Sequence, residues 1–157
     1  MPADTCLICQ RIHAIQTHAN AHFVCELETG YVVMGDHQHF RGYTLFLCKK
    51  HVEELHFLPK DVLQKHLAEL ALVYQAVYRA FAPDKMNCEL LGNGDAHLHW
   101  HLFPRVAGDT PQPGPVWCLP REEMYSDAKR PTPAELSAMK AALKREIDGL
   151  LEARVEK

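Results

Sequence analysis

The sequence lacks any long apolar run, since no stretch approaches the roughly 18 uninterrupted apolar residues that span a bilayer. Its N-terminal "MPADTCLICQ" has neither the basic segment nor the apolar core of a signal peptide. We therefore expect a cytoplasmic protein with no membrane partner. An excess of one charge is also missing, because the formal net charge is only -3 at pH 7. That balance excludes a global attraction to nucleic-acid polymers, although a small anion remains a suitable ligand.

The sequence also lacks internal repeats and any composition shift that would mark a domain boundary. At 157 residues and 47% hydrophobic content, the chain is long enough for one buried core and too short for two ordinary domains. In a reducing compartment its six cysteines are interpreted as metal ligands, reactive thiols or small buried side chains rather than as three disulfides. They are Cys6, Cys9, Cys25, Cys48, Cys88 and Cys118.

Hydrophobic periodicity predicts both strands and helices. Three β-rich runs between His22 and Cys48, broken at "ETG" and "GDHQHFRG", predict an antiparallel meander. Apolar residues then recur at intervals of three and four from Pro59 to Phe81, which predicts an amphipathic helix of about six turns. Two further strands, "MNCELLGN" and "HLHWHLFPRV", are separated only by "GDA". So short a link predicts a hairpin.

The C-terminal third is predicted to be a loop followed by a helix. The sequence from Val106 to Arg130 is rich in proline and glycine without a period, which is typical of a functional or disordered loop. Thr132, Pro133 and Glu135 form a capping box with proline at the first helical position. We expect a single domain made of a core at 1–105, a proline-rich loop at 106–131 and a helix at 132–157 that packs on the same core.

Three histidines alternate with large apolar residues in "HLHWHLFPR", residues 97–105. On one strand His97, His99 and His101 would share a face, opposite the apolar side chains. Polar positions on a solvent-facing strand are one interpretation, and a single metal held by all three is another. The outer two backbones would lie about 13 Å apart, a poor match to tetrahedral zinc with nitrogens at about 2.0–2.1 Å. We therefore expect the three histidines to have divided roles.

The "CLIC" stretch suggests one of these roles. Cys6 and Cys9 have the C-x-x-C spacing that brings two thiolates onto one metal, and a tetrahedral site needs two more donors. His51 in "CKKHV" and His97 are the natural candidates, which predicts a zinc site. A redox-active cysteine pair and two core cysteines remain alternatives.

The remaining histidine pair suits phosphoryl chemistry. Neutral imidazole is plentiful at pH 7 because its ordinary pKa is about 6.5. It can attack a phosphoryl group to give an intermediate that water readily displaces. We expect His99 to be the nucleophile and His101 to contact phosphate oxygens.

The run His97–Phe103 resembles the signature of the histidine triad (HIT) superfamily, in which three histidines alternate with hydrophobic residues. "CLIC", the strand pair ending at Gly35-Asp36, the turn at Gly42, "CKKHV", the long helix and Asn93 follow in the order of that family, over roughly residues 6–105. The resemblance implies an α+β fold with a five-stranded antiparallel sheet that carries one long helix, here joined by a C-terminal helix. It also implies a homodimer.

The same resemblance implies nucleotide hydrolysis or nucleotidyl transfer at the α-phosphate of adenosine polyphosphates or phosphoramidates, through a nucleotidyl-histidine intermediate. His99 would be the nucleophile and His101 the phosphate ligand. Asp36 would bind the ribose hydroxyls, Asn93 would lie near the ribose and phosphate, and Ile8 would line the base pocket. In zinc-bearing members the metal ligands correspond to Cys6, Cys9, His51 and His97. Four protein ligands close the coordination sphere, so this zinc would be structural.

The sequence departs from the family pattern in two places. "GDA" stands where a longer glycine-rich link with a Gln or Ser usually precedes the triad. Arg41-Gly42-Tyr43 stands in place of Pro-Gly-His, which we interpret as structural variation. "PGPVW", residues 113–117, resembles a bacterial subgroup of diadenosine polyphosphate hydrolases. Two alternatives to an enzyme are a nucleotide-binding regulatory module with weak or no turnover and a redox or zinc-dependent scaffold with an inactive triad.

Overall fold

A five-stranded antiparallel sheet forms the centre of the structure, a computed structural model that describes residues 5–155. In chain order its strands are β1 (Phe23–Glu26), β2 (Gly30–Met34), β3 (Thr44–Cys48), β4 (Lys85–Leu90) and β5 (His99–Arg105). Their spatial order is β1-β2-β3-β5-β4, and every neighbouring pair is antiparallel. The predicted α+β fold, the meander and the hairpin pairing are confirmed.

Four α-helices accompany the sheet among residues 5–155: α1 (Leu7–Gln16), α2 (Lys60–Phe81), α3 (Arg121–Met124) and α4 (Pro133–Val155). The long helix predicted for Pro59–Phe81 is confirmed as α2. The capping box of α4 is confirmed as well, because Thr132 N donates to Glu135 Oε2 at 2.8 Å and Glu135 N donates to Thr132 Oγ1 at 3.3 Å. Residues 1–4 and 156–157 of the expected core and helix ranges lie outside the described residues.

The sheet is covered on both faces. Successive strand residues point to opposite faces, so Val32 and Phe46 pack with α2 and α4, whereas Val33 and Leu45 pack with α1 and the chain around Val116. Every residue of β2 and β3 is buried as a result. This double coverage explains why these two strands are continuous apolar runs.

Helix α1 was not predicted from the sequence. Cys6 is its N-cap, with Sγ accepting a hydrogen bond from Cys9 N at 3.4 Å. Ile8, Ile12 and Ile15 are its buried residues, and they follow a spacing of four and three that is typical of a helix. The helix therefore brings Cys6 and Cys9 against the face of the sheet that carries Val33 and Leu45.

The prediction that only three residues link the last two strands is wrong. Strand β4 ends at Leu90 and β5 begins at His99, so eight residues, 91–98, connect them. The pairing of β4 with β5 stops at Leu90 and Trp100, and Leu98, the residue before β5, bonds to the chain at the end of β3 and after it. Leu98 N donates to the Val52 carbonyl at 2.7 Å, and Cys48 N donates to the Leu98 carbonyl at 3.1 Å.

The segment predicted as a proline-rich loop, 106–131, contains short helical turns and lies against the sheet. Helix α3 is flanked by 3-10 turns at Val116–Cys118 and Asp127–Lys129. Val116, Leu119 and Met124 are buried in the cluster that α1 forms with the sheet. Its apolar side chains therefore fix this segment over the face of the sheet that carries Phe103.

No helix within residues 5–155 is both long enough and apolar enough to cross a membrane.

Candidate functional site

Two adjoining cavities, of about 390 Å³ and 260 Å³, open along β5. His99, His101, Asp95, Arg121 and Tyr125 line both of them. The smaller cavity is also lined by Ile8 and Asp36, and the larger by Asn93 and Trp117. All the residues expected at a nucleotide site therefore line one or both of these cavities: Ile8, Asp36, Asn93, His99 and His101.

His99 has a defined tautomer. Its Nδ1 lies 2.6 Å from the carbonyl oxygen of His97, and a carbonyl only accepts hydrogen bonds. Nδ1 must therefore carry the proton of the neutral ring, which leaves the lone pair on Nε2. The side chain is only 5% exposed, although it lines both cavities.

His101 is held by aromatic neighbours. Its Nδ1 lies 2.7 Å from the hydroxyl of Tyr43, and its ring is nearly parallel to those of Tyr43 and Phe103. Burial, and secondarily the positive charge that His99 would add, lowers the pKa of His101 to about 4. The ring is therefore neutral at physiological pH.

Tyr43 is more than the structural variation expected from Arg41-Gly42-Tyr43, because it contacts a triad histidine directly. That interpretation is corrected. The sequence signal was the position of Tyr43 immediately after the turn glycine, where the family pattern has histidine.

Asp36 forms an ion pair with Arg11. Arg11 Nη1 donates to Asp36 Oδ1 at 3.0 Å, and Nη2 donates to Oδ2. Burial disfavours the ionised carboxylate, but the hydrogen bonds and charge of Arg11 outweigh it, so the pKa of Asp36 lies below its usual range. Sequence reasoning missed Arg11, which lies three residues after Ile8 on α1 and hence on a neighbouring part of the helix surface.

Cys6, Cys9, His51 and His97 form a compact cluster whose ligand atoms all lie within 4.8 Å of one another. The distance from Cys9 Sγ is 3.2 Å to His51 Nδ1 and 3.4 Å to His97 Nδ1, and the two histidine Nδ1 atoms are 3.2 Å apart. Bonds of about 2.0–2.3 Å to a tetrahedral zinc give ligand separations of about 3.3–3.8 Å. This donor set could hold a metal ion.

The second nitrogen of His97 supports that fit. Nε2 lies 2.8 Å from the Cys48 carbonyl and must donate to it, so the lone pair of the neutral ring is on Nδ1, which faces the cluster. A backbone carbonyl that orients a histidine in this way is a usual companion of metal ligation.

The expectation that all three histidines share one strand face is wrong for His97. Strand β5 begins at His99, and His97 lies in the preceding connection with its side chain in the cysteine cluster. It lines neither cavity, whereas His99 and His101 line both.

Three further residues of the site come from the segment that the sequence predicted as a loop. The Arg121 guanidinium lies 5.4 Å from the ring centre of Tyr125, and the Tyr125 ring meets His37 edge-on at 5.6 Å. Trp117 lies beside them and is 58% exposed. Of these three residues, only Trp117 belongs to a sequence motif that pointed to function, as the last residue of "PGPVW".

Comparison with known proteins agrees with this geometry. The family model described as "HIT domain" matches residues 16–108. A histidine triad protein from Marinobacter aquaeolei is 26% identical, with a TM-score of 0.67, over 82% of this chain and 90% of that one. A histidine triad protein from Bradyrhizobium japonicum is 23% identical, with a TM-score of 0.70, over 80% and 89%.

A zinc-bound histidine triad family protein from Mycobacterium smegmatis is 21% identical, with a TM-score of 0.60, and the match covers 96% of this chain and 99% of that chain. A search of curated proteins gave no significant match. Members of the matching family generally act on nucleotides, usually as hydrolases or transferases, and some are not catalytic. Since the family model covers more than half of the chain, this protein belongs to the HIT domain family.

Proposed function

We propose that this protein is a nucleotide hydrolase or nucleotidyl transferase that acts at the α-phosphate of an adenosine polyphosphate or phosphoramidate. The observation that carries the proposal is the tautomer of His99. Its Nδ1 proton is committed to the His97 carbonyl at 2.6 Å, so Nε2 is the ring nitrogen left to act as nucleophile at the cavities. An imidazole oriented in this way is a suitable nucleophile for phosphorus.

The reaction has two displacements. His99 Nε2 bonds to the α-phosphorus while the bond from phosphorus to the leaving oxygen or nitrogen breaks, and the leaving group takes that electron pair. Water then bonds to phosphorus, the P–N bond breaks, and its electron pair returns to Nε2 as the water proton passes to solvent. His101, neutral and 4.7 Å from His99 between ring centres, would contact the phosphate oxygens.

Arg121 supports a phosphate leaving group. It lines both cavities together with His99 and His101, and within residues 5–155 its guanidinium forms no ion pair. A cation at this place would stabilise the negative charge that develops on a departing polyphosphate. A neutral amine leaving group would gain little from it. We therefore favour polyphosphates such as diadenosine tetraphosphate over phosphoramidates.

The smaller cavity suits the nucleoside. Ile8 and Leu45 supply apolar surface for a base. Asp36, kept ionised by Arg11, would accept hydrogen bonds from ribose hydroxyls through the lone pairs that Arg11 leaves free. Asn93, in the adjoining cavity, would lie near the ribose and phosphate.

We further propose that Cys6, Cys9, His51 and His97 hold a structural zinc ion. Zinc here would supply no chemistry to the reaction, since four protein ligands leave no open position. It would join α1 to the chain after β3 and to the chain before β5. Metal analysis of protein purified without chelator should give one zinc per chain, and reduced protein without zinc would refute the site.

The decisive experiment is to trap the intermediate. The protein is incubated briefly with diadenosine tetraphosphate, quenched and digested, and the modified peptide is sequenced by mass spectrometry. We expect AMP on His99 and release of nucleotide products, with neither in His99→Asn. Modification of another residue, or turnover that survives in His99→Asn, would overturn the mechanism.

One observation favours a second function, a nucleotide-binding regulatory module. The 91–98 connection contributes Asn93 and Asp95 to the cavities but no Gln or Ser. Such a module would bind AMP equally well in the parent and in His99→Asn and would release no product from either substrate class.

A further inference from the structure

The hydrogen bond between Tyr43 and His101 joins two side chains that have little freedom to move. Tyr43 is 6% exposed, and its ring stacks on Phe103 with 4.3 Å between centres and 10° between planes. Its backbone is fixed from the preceding turn, where Gln38 Nε2 donates to the Tyr43 carbonyl and Gln38 Oε1 accepts from Gly42 N. The hydroxyl therefore meets His101 Nδ1 at 2.7 Å in a rigid arrangement.

The proton in this hydrogen bond belongs to the tyrosine. Burial raises the pKa of Tyr43 above its ordinary value, so the hydroxyl keeps its proton. That hydroxyl has no other hydrogen-bond partner among residues 5–155, and a buried O–H that does not donate is costly. Donation to Nδ1 satisfies it, and the single proton of the neutral His101 ring must then lie on Nε2.

We propose that Tyr43 is a positioning residue that holds His101 in the Nε2–H tautomer, the opposite of the tautomer that the His97 carbonyl imposes on His99. The two histidines of β5 then present different groups to the cavities. His99 offers a lone pair, and His101 offers an N–H donor for an oxygen of the phosphate under attack. The role assigned to the donor rests on the proposed function, whereas the tautomer does not.

The two opposite tautomers give the neighbouring imidazoles of β5 different chemical roles, one as a nucleophile and one as a hydrogen-bond donor. Without the Tyr43 hydroxyl, His101 would populate both tautomers, and the Nδ1–H form would turn a lone pair toward the anionic phosphate. A lone pair facing an anion weakens the contact that becomes strongest as charge develops on the phosphate oxygens. The effect should fall on kcat more than on KM.

The test uses nitrogen NMR of protein with ¹⁵N-labelled histidine, with the His101 signals assigned from His101→Asn. In the parent protein we expect a protonated Nε2 and an unprotonated Nδ1. Tyr43→Phe, which removes only the hydroxyl, should move both signals toward averaged values. Tyr31→Phe is the matched control, because Tyr31 is equally buried at 6% and lies in the same core cluster, and it should leave the spectrum unchanged.

The kinetic part uses diadenosine tetraphosphate. Tyr43→Phe should lower kcat about tenfold with KM changed less than about twofold, which corresponds to loss of roughly 1.4 kcal/mol in the transition state, and Tyr43→His, which restores an N–H donor, should recover part of it. A protonated Nδ1 in the parent spectrum, or an unchanged tautomer in Tyr43→Phe, would overturn the proposal. The parent spectrum decides the tautomer even if the variant does not fold. Absence of turnover in the parent would instead overturn the proposed function.

Discussion

His97 contributes its side chain and its backbone to different neighbours. The imidazole Nδ1 faces Cys6 and Cys9, while the carbonyl oxygen accepts the Nδ1 proton of His99. Two histidines that look equivalent in the sequence therefore differ in what their replacement should damage.

We expect His99→Asn to abolish turnover while zinc content and melting temperature stay near those of the parent, because the change removes only the nucleophile. His97→Ala should lower both zinc content and melting temperature, since the metal loses a ligand. His101→Ala should keep the zinc and weaken catalysis. Metal analysis, thermal unfolding and turnover of each variant check this. Loss of zinc from His99→Asn would contradict the division of roles.

His66, a buried residue of α2, contacts β5 from the face of the sheet opposite the cavities. Its Nε2 accepts the indole N–H of Trp100 at 3.1 Å, and its Nδ1 donates to Thr29 Oγ1 at 2.9 Å. The Thr29 hydroxyl in turn donates to Glu69. Burial lowers the pKa of His66, against a smaller opposing effect of the Glu69 charge, so the folded protein keeps this ring neutral.

This network predicts acid sensitivity. The unfolded chain binds a proton at His66 below its ordinary pKa of about 6.5, and the folded chain resists doing so. The contribution of the neutral His66 ring to the free energy of unfolding is therefore fully present above pH 6.5 and decreases as the pH falls below that value. In His66→Gln the slope of unfolding free energy between pH 6.5 and 5.5 should be smaller, by up to about 1 kcal/mol per pH unit.

Urea unfolding at several pH values measures that slope. His66→Gln should also be less stable at pH 7 by about 1–3 kcal/mol, because Trp100 and Thr29 lose buried hydrogen bonds. His56→Gln is the control, since His56 is exposed, and it should follow the parent. Equal slopes in the parent and in His66→Gln would refute the assignment.

The strands and long helices were predictable because each carries its own local pattern. Helix α2 has its apolar stripe, and α4 has a capping box within four residues. The turns of the 106–131 segment had no such pattern, because its prolines interrupt any period. Its buried residues Val116 and Met124 are positioned by a sheet face built from distant parts of the chain.

The site residues divide in the same way. His99, His101 and the cysteine pair stand in short motifs and were predicted to be functional. Arg11 and Tyr43 were missed because their partners, Asp36 and His101, lie 25 and 58 positions away in the sequence. Only the folded sheet and α1 bring these pairs together.

Helix α3 leads to a prediction about leaving groups. Arg121→Ala should lower kcat/KM for diadenosine tetraphosphate about ten- to hundredfold, the value of one charge-assisted hydrogen bond of roughly 1.5–3 kcal/mol. The same variant should change kcat/KM for an adenosine phosphoramidate with a neutral amine leaving group less than about threefold. Steady-state kinetics with both substrates measure the ratio.

Arg130→Ala is the matched control for that comparison. Arg130 belongs to the same segment but pairs with Asp127 and lines neither of the two cavities. Arg130→Ala should leave kcat/KM for both substrates unchanged. An equal loss on the two substrates in Arg121→Ala would show that Arg121 does not contact the leaving group.

The whole molecule has an exposed sheet edge at β4, the last strand in the order β1-β2-β3-β5-β4. The unpaired backbone groups of an edge strand favour pairing with another strand, so we retain the homodimer as a prediction. Sedimentation at micromolar concentration should give twice the 17.9 kDa chain mass.

Replacing Cys88, an exposed residue of β4, by lysine should shift the sedimentation mass toward one chain, because a charged lysine on an edge strand disfavours its pairing with another strand. Cys118→Lys, at an exposed cysteine outside the sheet, should leave the mass unchanged. A parent protein that sediments as a single chain would refute the dimer.

The segment that carries Trp117 and Arg121 is tied down at both ends. Arg105 binds Asp109 at 2.7 Å where the segment leaves β5, and α4, which begins at Pro133, packs on α2. For a chain closed in this way the entropy of closure grows only with the logarithm of length, about 0.6 kcal/mol for each doubling. Insertions or deletions in its exposed stretch 111–115, before the buried Val116, would thus cost little folding free energy. The edge of the larger cavity at Trp117 can therefore change while the sheet and its histidines stay the same.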